Sequence, residues 1–213
     1  MKWKISLAIF LGLVLWISID LLRPVGHDLR EFNSPVVARL DTDMWRAYYE
    51  RHPVKLFFQL AYLMRLQFGA PYWRSWGIAY QAAKAAFVFK DGKNRADYER
   101  ALPYLRHYYS AIHKMSTTDF DIEKAAVLEL EWWIVHRQRA TQQAGDLEAA
   151  LAVSAAAIYN LPAEKFAEYA RYRTLAMDLR DNESAGDGVS DSEWQQIGEY
   201  LQKAWQSLFV AVQ

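Results

Sequence analysis

The sequence contains no cysteine. Its 213 residues therefore form no disulfide and offer no thiolate for catalysis, for an iron–sulfur cluster or for a cysteine-based zinc site. Attachment of a c-type haem is excluded as well, because it needs a Cys-x-x-Cys-His run. The sequence also lacks glycine-rich phosphate-binding loops, a Gly-x-Ser-x-Gly elbow and the His-Glu-x-x-His zinc motif. No established catalytic or cofactor motif therefore indicates what the protein does.

The chain carries no net charge, since 25 Lys and Arg residues balance 25 Asp and Glu residues. This balance argues against nucleic-acid binding, which generally depends on a basic surface. The charges are nevertheless segregated: residues 44–90 contain seven Lys or Arg and a single acid, Glu50, whereas residues 91–213 carry the compensating negative charge. We therefore predict one helical domain, residues 44–213, with a basic aromatic part followed by acidic helical hairpins.

One long apolar run covers residues 5–22 and is interrupted only by Asp20. A bilayer core needs about 20 apolar residues in a helix, so this run is on the short side but sufficient. We expect residues 1–23 to form a single-pass transmembrane anchor that holds the chain in the membrane. A cleaved signal peptide is the main alternative, although residues 16–20 lack the small-residue pair that cleavage requires. A buried core helix is a third interpretation.

The charges that flank the apolar run nearly balance. Lys2 and Lys4 precede it, and Arg23, Arg30 and Arg39 follow it. The short basic N-terminus is typical of a signal anchor whose first residues stay in the cytoplasm. We therefore expect the helical domain to be periplasmic or otherwise extracytoplasmic.

The rest of the chain shows helix-capping and helix-breaking signals, with no sustained period-two alternation. Residues 24–43, which contain two prolines, are predicted to be a linker, and Asp41 or Asp43 is expected to cap the next helix. The helices that these signals predict cover about 41–52, 53–68, 72–89, 95–115, 118–142, 147–159, 162–180 and 191–212. Ser190 and Glu193 are predicted to form a Ser-x-x-Glu capping box at the start of the last one. The predicted fold is all-α: one transmembrane helix followed by a bundle or a short solenoid of helical hairpins.

Three positions have the spacing of the second helix of a tetratricopeptide repeat: Ala150, Ala157 and Pro162. Trp132 or Trp133 supplies the aromatic residue of a first helix. Residues 72–181 therefore resemble tetratricopeptide-type helical hairpins, and the resemblance implies hairpin packing and protein binding. The connecting turns are longer than in that family, and a regular period of about 34 residues is absent.

Four residues lie along one predicted helix face, at i, i+3, i+4 and i+7: Glu129, Trp132, Trp133 and His136. A carboxylate and an imidazole between indole walls can form an acid–base pair or half of a metal site, because apolar walls shift pKa values. The alternative is a packed hairpin face in which Glu129 and His136 have structural partners. His107 and His113 are weaker candidates for haem- or chlorophyll-type ligands. We expect neither a metal nor a resident cofactor.

The basic aromatic part, residues 44–90, is a candidate membrane or partner surface. Its candidate residues are Trp45, Arg46, Arg51, Lys55, Arg65, Trp73, Arg74 and Trp76. Trp and Tyr favour the bilayer interface, and each Lys or Arg near anionic headgroups gains about 1 kcal/mol. The alternative is an aromatic core whose charged groups point to water.

From these features we expect a membrane-anchored, non-enzymatic helical scaffold that binds partner proteins as an accessory or assembly subunit of a membrane complex. The alternative is a metal- or cofactor-binding helical enzyme centred on Glu129 and His136. A helical domain that binds a lipid or a small ligand is a third hypothesis.

Overall fold

The computed structural model describes residues 2–183 and 188–213, and every regular element in them is helical. In chain order the α-helices are α1 (Lys2–Leu22), α2 (Ser34–Tyr49), α3 (Pro53–Phe68), α4 (Tyr72–Asp91), α5 (Arg95–Glu99), α6 (Leu102–His113), α7 (Ile122–Arg137), α8 (Asp146–Tyr159), α9 (Ala167–Glu183) and α10 (Asp191–Val212). Short 3₁₀ turns, Arg139–Thr141 and Ala163–Phe166, precede α8 and α9. The predicted all-α class is confirmed.

Most of helix α1 lies outside the packing of the other helices. It is long and apolar enough to cross a membrane, and only 6% of its most apolar window is buried. This exposure contradicts the interpretation as a buried core helix. A signal sequence has the same length and composition, so the helix alone does not distinguish an anchor from a signal sequence.

The remaining helices form a closed ring. Each long helix from α2 to α10 packs against the next one along the chain, and α10 returns to pack against α2. A solenoid stacks each repeat only on its neighbours and leaves its two ends apart. The contact between α10 and α2 therefore makes this part of the protein a closed bundle. Its core is continuous, with Met64, Leu105, Leu130 and Phe166 almost completely buried.

The segment predicted to be a linker, residues 24–43, instead contains most of a core helix. Helix α2 begins at Ser34, where the Asn33 side chain accepts a hydrogen bond from the Val36 backbone N–H at 3.2 Å. Pro35, which suggested a loop, lies in the first turn of α2, where a missing N–H breaks no helical hydrogen bond. The predicted caps at Asp41 and Asp43 are therefore wrong.

Other helix ends follow local signals closely. Helix α3 covers Pro53–Phe68 as predicted. The predicted helix 95–115 is divided into α5 and α6, with Pro103 in the first turn of α6. The predicted capping box of α10 is present: Ser190 accepts from the Glu193 N–H, and the Glu193 side chain accepts from the Ser190 N–H.

Gly69 ends α3 in the left-handed region, with φ of 62°. A Cβ at this position would lie 2.8 Å from Cγ of His27, whose Nε2 contacts the Gln67 carbonyl oxygen at 3.1 Å. We expect Gly69→Ala to destabilise the fold by about 2 kcal/mol through backbone strain and this clash. The thermal unfolding midpoint in mild detergent should fall by about 6 °C.

Gly77 provides the matched control. It lies inside α4, and a Cβ there would meet nothing within 4 Å. We expect Gly77→Ala to raise the midpoint by about 2 °C, because alanine favours helix over glycine by about 1 kcal/mol. Equal effects of the two substitutions would contradict this role of Gly69.

Candidate functional site

Helix α1 is attached to the ring through Asp20. The Asp20 side chain is 7% exposed, and its Oδ2 accepts a hydrogen bond of 2.6 Å from the Trp73 backbone N–H. This N–H belongs to the first turn of α4, where backbone donors lack helical partners and the helix dipole favours an anion. Arg74 Nε also donates to the Asp20 carbonyl at 3.1 Å, and its guanidinium donates to the Arg23 carbonyl. The end of α1 is therefore held on the N-terminus of α4.

Aromatic rings surround this junction. The Trp16 ring stacks on Tyr72 at 5.8 Å and meets Trp73 edge-on at 5.4 Å between ring centroids. Trp76 continues the contact, with its ring 5.8 Å from Tyr72 and 5.3 Å from Phe58. A chain of rings thus connects the end of α1 to helices α3 and α4.

Helices α3 and α4 present exposed apolar side chains at helical spacing. We name the following six residues, which are exposed except for the partly buried Trp76, the α3–α4 apolar surface: Val54, Phe58, Tyr62, Tyr72, Trp76 and Tyr80. The exposed fractions of Val54, Phe58 and Tyr80 are 68%, 53% and 55%. On each helix these positions are four residues apart and so share one face. Contiguous exposed apolar patches of this kind are typical of protein or membrane interaction sites.

The predicted surface residues occupy different places. Four of them lie at the α1 junction, within the α3–α4 apolar surface or beside it: Arg65, Trp73, Arg74 and Trp76. Arg51 and Lys55 are exposed near the turn between α2 and α3. Trp45 is half-buried under the Arg173 guanidinium, and Arg46 pairs with Glu50 and Asp191. The last two positions therefore belong to the packing of α2 against α9 and α10.

A central cavity of about 220 Å³ lies between the helices of the ring and is lined by residues of α2, α3 and α6 to α10. Glu129 lies in this lining, where its carboxylate accepts hydrogen bonds from Tyr109 Oη at 2.9 Å, Trp133 Nε1 at 3.1 Å and Ser154 Oγ at 3.4 Å. Trp132 also lines the cavity. Sequence spacing predicted that Glu129 shares a helix face with two indoles; in the structure Glu129 accepts a hydrogen bond from Trp133 and lines the same cavity as Trp132.

His136 does not share the Glu129 environment. Its Nε2 lies 3.0 Å from Oδ2 of Asp181, a buried carboxylate that also contacts the guanidinium groups of Arg139 and Arg180. Burial of the ring, together with the charges of Arg139 and Arg180, lowers the pKa of His136 to about 4. The ring is therefore neutral at neutral pH and forms no acid–base pair with Glu129.

This lowered pKa predicts sensitivity to acid. In the unfolded chain His136 becomes protonated below a pH of about 6.5, whereas in the folded protein it becomes protonated only near pH 4. The contribution of neutral His136 to the free energy of unfolding is therefore complete above a pH of about 6.5 and is lost as the pH falls towards 4. Between pH 7 and pH 5 we expect the free energy of unfolding of the wild type to fall by about 2 kcal/mol more than that of the His136→Gln variant.

Denaturation at a series of pH values measures this difference, and His107→Gln is the control. His107 is exposed on α6. A wild-type profile that is unchanged by His136→Gln, or changed equally by His107→Gln, would contradict the assignment.

The remaining histidine candidates are at or near the surface. His113 Nε2 contacts Asp119 at 2.9 Å, and the His113 ring packs on Phe120. Among residues 2–183 and 188–213, no group of three or more His, Asp or Glu side chains has the geometry to hold a metal ion. Within the described part of the chain, neither His107 nor His113 therefore belongs to such a group.

Sequence patterns missed the buried ion pair of the ring. Arg173 donates to Asp41 at 2.8 Å, and Trp205 Nε1 donates to the same Asp41 oxygen at 2.8 Å. The partners come from α9, α2 and α10, so the contact joins three elements that are distant in sequence. Asp20 interrupts the apolar run, and an acid at the end of such a helix is a signal for a specific partner.

In comparisons with known proteins, no family model, curated protein or solved structure matches this chain.

Proposed function

We propose that the protein is a membrane-anchored helical scaffold that binds partner proteins as an accessory or assembly subunit of a membrane complex. Helix α1 is the anchor, and the α3–α4 apolar surface is the partner-binding face. One observation carries the proposal: the exposed apolar helix α1 is joined by Trp16 to an exposed apolar surface of the ring.

The junction supports a location beside the membrane. Because Asp20 lies within α1's last turn and caps α4, the start of α4 lies where α1 leaves the bilayer. Trp16, Tyr72 and Trp73 then lie at the depth where indole and phenol rings are favoured. Arg65 and Arg74 lie beside these rings, within reach of anionic headgroups. The α3–α4 apolar surface begins at this depth and faces away from the core.

The proposed orientation places the ring outside the cytoplasm. It rests on the short basic N-terminus, because the Lys and Arg counts on the two sides of α1 are nearly equal. Protease added to spheroplasts should digest the ring and leave α1 protected. Protection of the ring would reverse the orientation without affecting the rest of the proposal.

The partner-binding face is tested with the variant Phe58→Ser/Tyr80→Ser. Both side chains are more than half exposed, so the ring should fold normally. The tagged full-length chain is purified from native membranes in mild detergent. We expect the amount of co-purified partner protein to fall at least ten-fold in this variant. The reason is the loss of two aromatic side chains, which commonly dominate the binding free energy of an interface.

Val210→Ser is the matched control. Val210 is 64% exposed on α10, so the substitution also replaces an exposed apolar side chain, on a helix outside the α3–α4 apolar surface. It should leave the co-purified proteins unchanged. Equal amounts of co-purified protein with the wild type and both variants, or no specific partner with the wild type, would contradict the proposal.

A further inference from the structure

The central cavity contains three charged side chains. Asp41 and Arg173 neutralise each other through their 2.8 Å hydrogen bond, and Trp205 Nε1 satisfies the same Asp41 oxygen. Glu129 is the third, and no Lys, Arg or His among the described residues forms an ion pair with it. The cavity therefore carries one unneutralised negative charge when Glu129 is ionised.

The hydrogen-bond partners of Glu129 leave room for a ligand. A carboxylate has about four acceptor positions, two on each oxygen. Tyr109 and Ser154 donate to Oε2, and Trp133 donates to Oε1. All three are neutral donors, which stabilise a carboxylate without cancelling its charge. One acceptor position on Oε1 remains for a donor inside the cavity.

The cavity walls supply aromatic faces and further hydroxyl groups. Tyr108, Trp132 and Tyr169 all line the cavity. Burial raises the pKa values of Tyr108 and Tyr169, so both phenols stay neutral. Within residues 2–183 and 188–213, neither hydroxyl forms a hydrogen bond to another protein group. Aromatic faces attract organic cations, and free hydroxyl oxygens accept additional N–H donors.

We infer that the central cavity binds a small organic amine in its protonated form, with Glu129 as its counter-ion and the aromatic residues as its walls. A primary ammonium group supplies one donor for Glu129 and two more for phenolic oxygens. An anion would be repelled by Glu129, and a neutral molecule would leave its charge without a partner. The volume of about 220 Å³ exceeds the roughly 150 Å³ that holds benzene, so an amine of about nine non-hydrogen atoms fits.

The test uses the purified full-length protein in mild detergent and isothermal titration calorimetry. The probes are benzylammonium and 2-phenylethylammonium, and their uncharged counterparts are benzyl alcohol and 2-phenylethanol. We expect at least one ammonium probe to bind the wild type at least ten-fold more tightly than the alcohol of the same shape. Glu129→Gln should lower the affinity for that ammonium probe at least ten-fold and leave the affinity for the alcohol unchanged.

Glu131→Gln is the matched control, because Glu131 lies two residues along α7 and pairs with Arg95 outside the cavity. It should bind the ammonium probe as the wild type does. If Glu129→Gln does not fold, Tyr108→Phe replaces it, and we expect that variant to bind the ammonium probe several-fold more weakly than the wild type does. Absence of binding by both ammonium probes, equal binding of ammonium and alcohol, or equal effects of the two Glu variants would overturn the inference.

Discussion

Replacing Arg173 with methionine is expected to lower the thermal unfolding midpoint by roughly 10 °C in mild detergent. The substitution leaves the Asp41 carboxylate buried without its cation, and breaking a buried ion pair in this way typically destabilises by about 3–5 kcal/mol. The side chains of Arg173 and Asp41 are 11% and 8% exposed, so water replaces the lost partner poorly. In a chain of this size each kcal/mol shifts the midpoint by about 2–4 °C. Circular dichroism of the helical signal measures the change.

Arg171→Met is the control for this prediction. Arg171 lies on the same helix and pairs with Glu168 on the surface, so its removal should leave the midpoint nearly unchanged. The double variant Asp41→Asn/Arg173→Met should recover much of the loss, because it removes both charges and keeps an oxygen for Trp205. A similar decrease for both arginines, or no recovery in the double variant, would show that the ion pair does not hold α2 to α9.

The second large effect is expected from Leu11→Arg/Leu13→Arg in the middle of α1. Each arginine at the centre of a membrane helix costs about 2.5–3.5 kcal/mol of insertion free energy. We therefore expect the variant to leave the membrane pellet for the soluble or aggregated fraction. Both leucines are exposed in the structure, so the ring should keep its helical signal and unfolding midpoint.

Leu21→Arg/Leu22→Arg introduces the same two charges at the end of α1. There the guanidinium groups reach the headgroup region, so the protein should remain in the membrane. Release of both variants to the same extent would indicate that position along α1 has no effect, and would contradict a membrane-spanning α1. Retention of both would mean that the ring, not α1, holds the protein in the membrane.

The sequence predicts local features of this fold well. Turn and cap signals act over a few residues, which is why Pro53 starts α3 and the Ser190–Glu193 capping box starts α10 as predicted. The prediction of a linker around Pro35 was wrong because a proline is compatible with either a loop or the first turn of a helix. The choice depended on the burial of α2 against α10, which no local pattern contains.

Long-range contacts explain why the candidate site was predicted only in part. Helical periodicity placed Glu129 and His136 on one face, but seven residues at 1.5 Å each separate them by about 10 Å along the axis. At that distance they reach different neighbours, Tyr109 on α6 and Asp181 on α9. The Asp41–Arg173 pair spans 132 positions, and the cavity beside it exists only because the ring closes.

The central claim is that α1 remains attached and holds the ring at a bilayer. Alkaline carbonate extraction of native membranes, followed by mass spectrometry of the extracted chain, tests it most directly. We predict that the protein stays in the carbonate-resistant pellet and yields peptides from residues 5–22. A soluble protein, or a pelleted protein that lacks those residues, would contradict the claim.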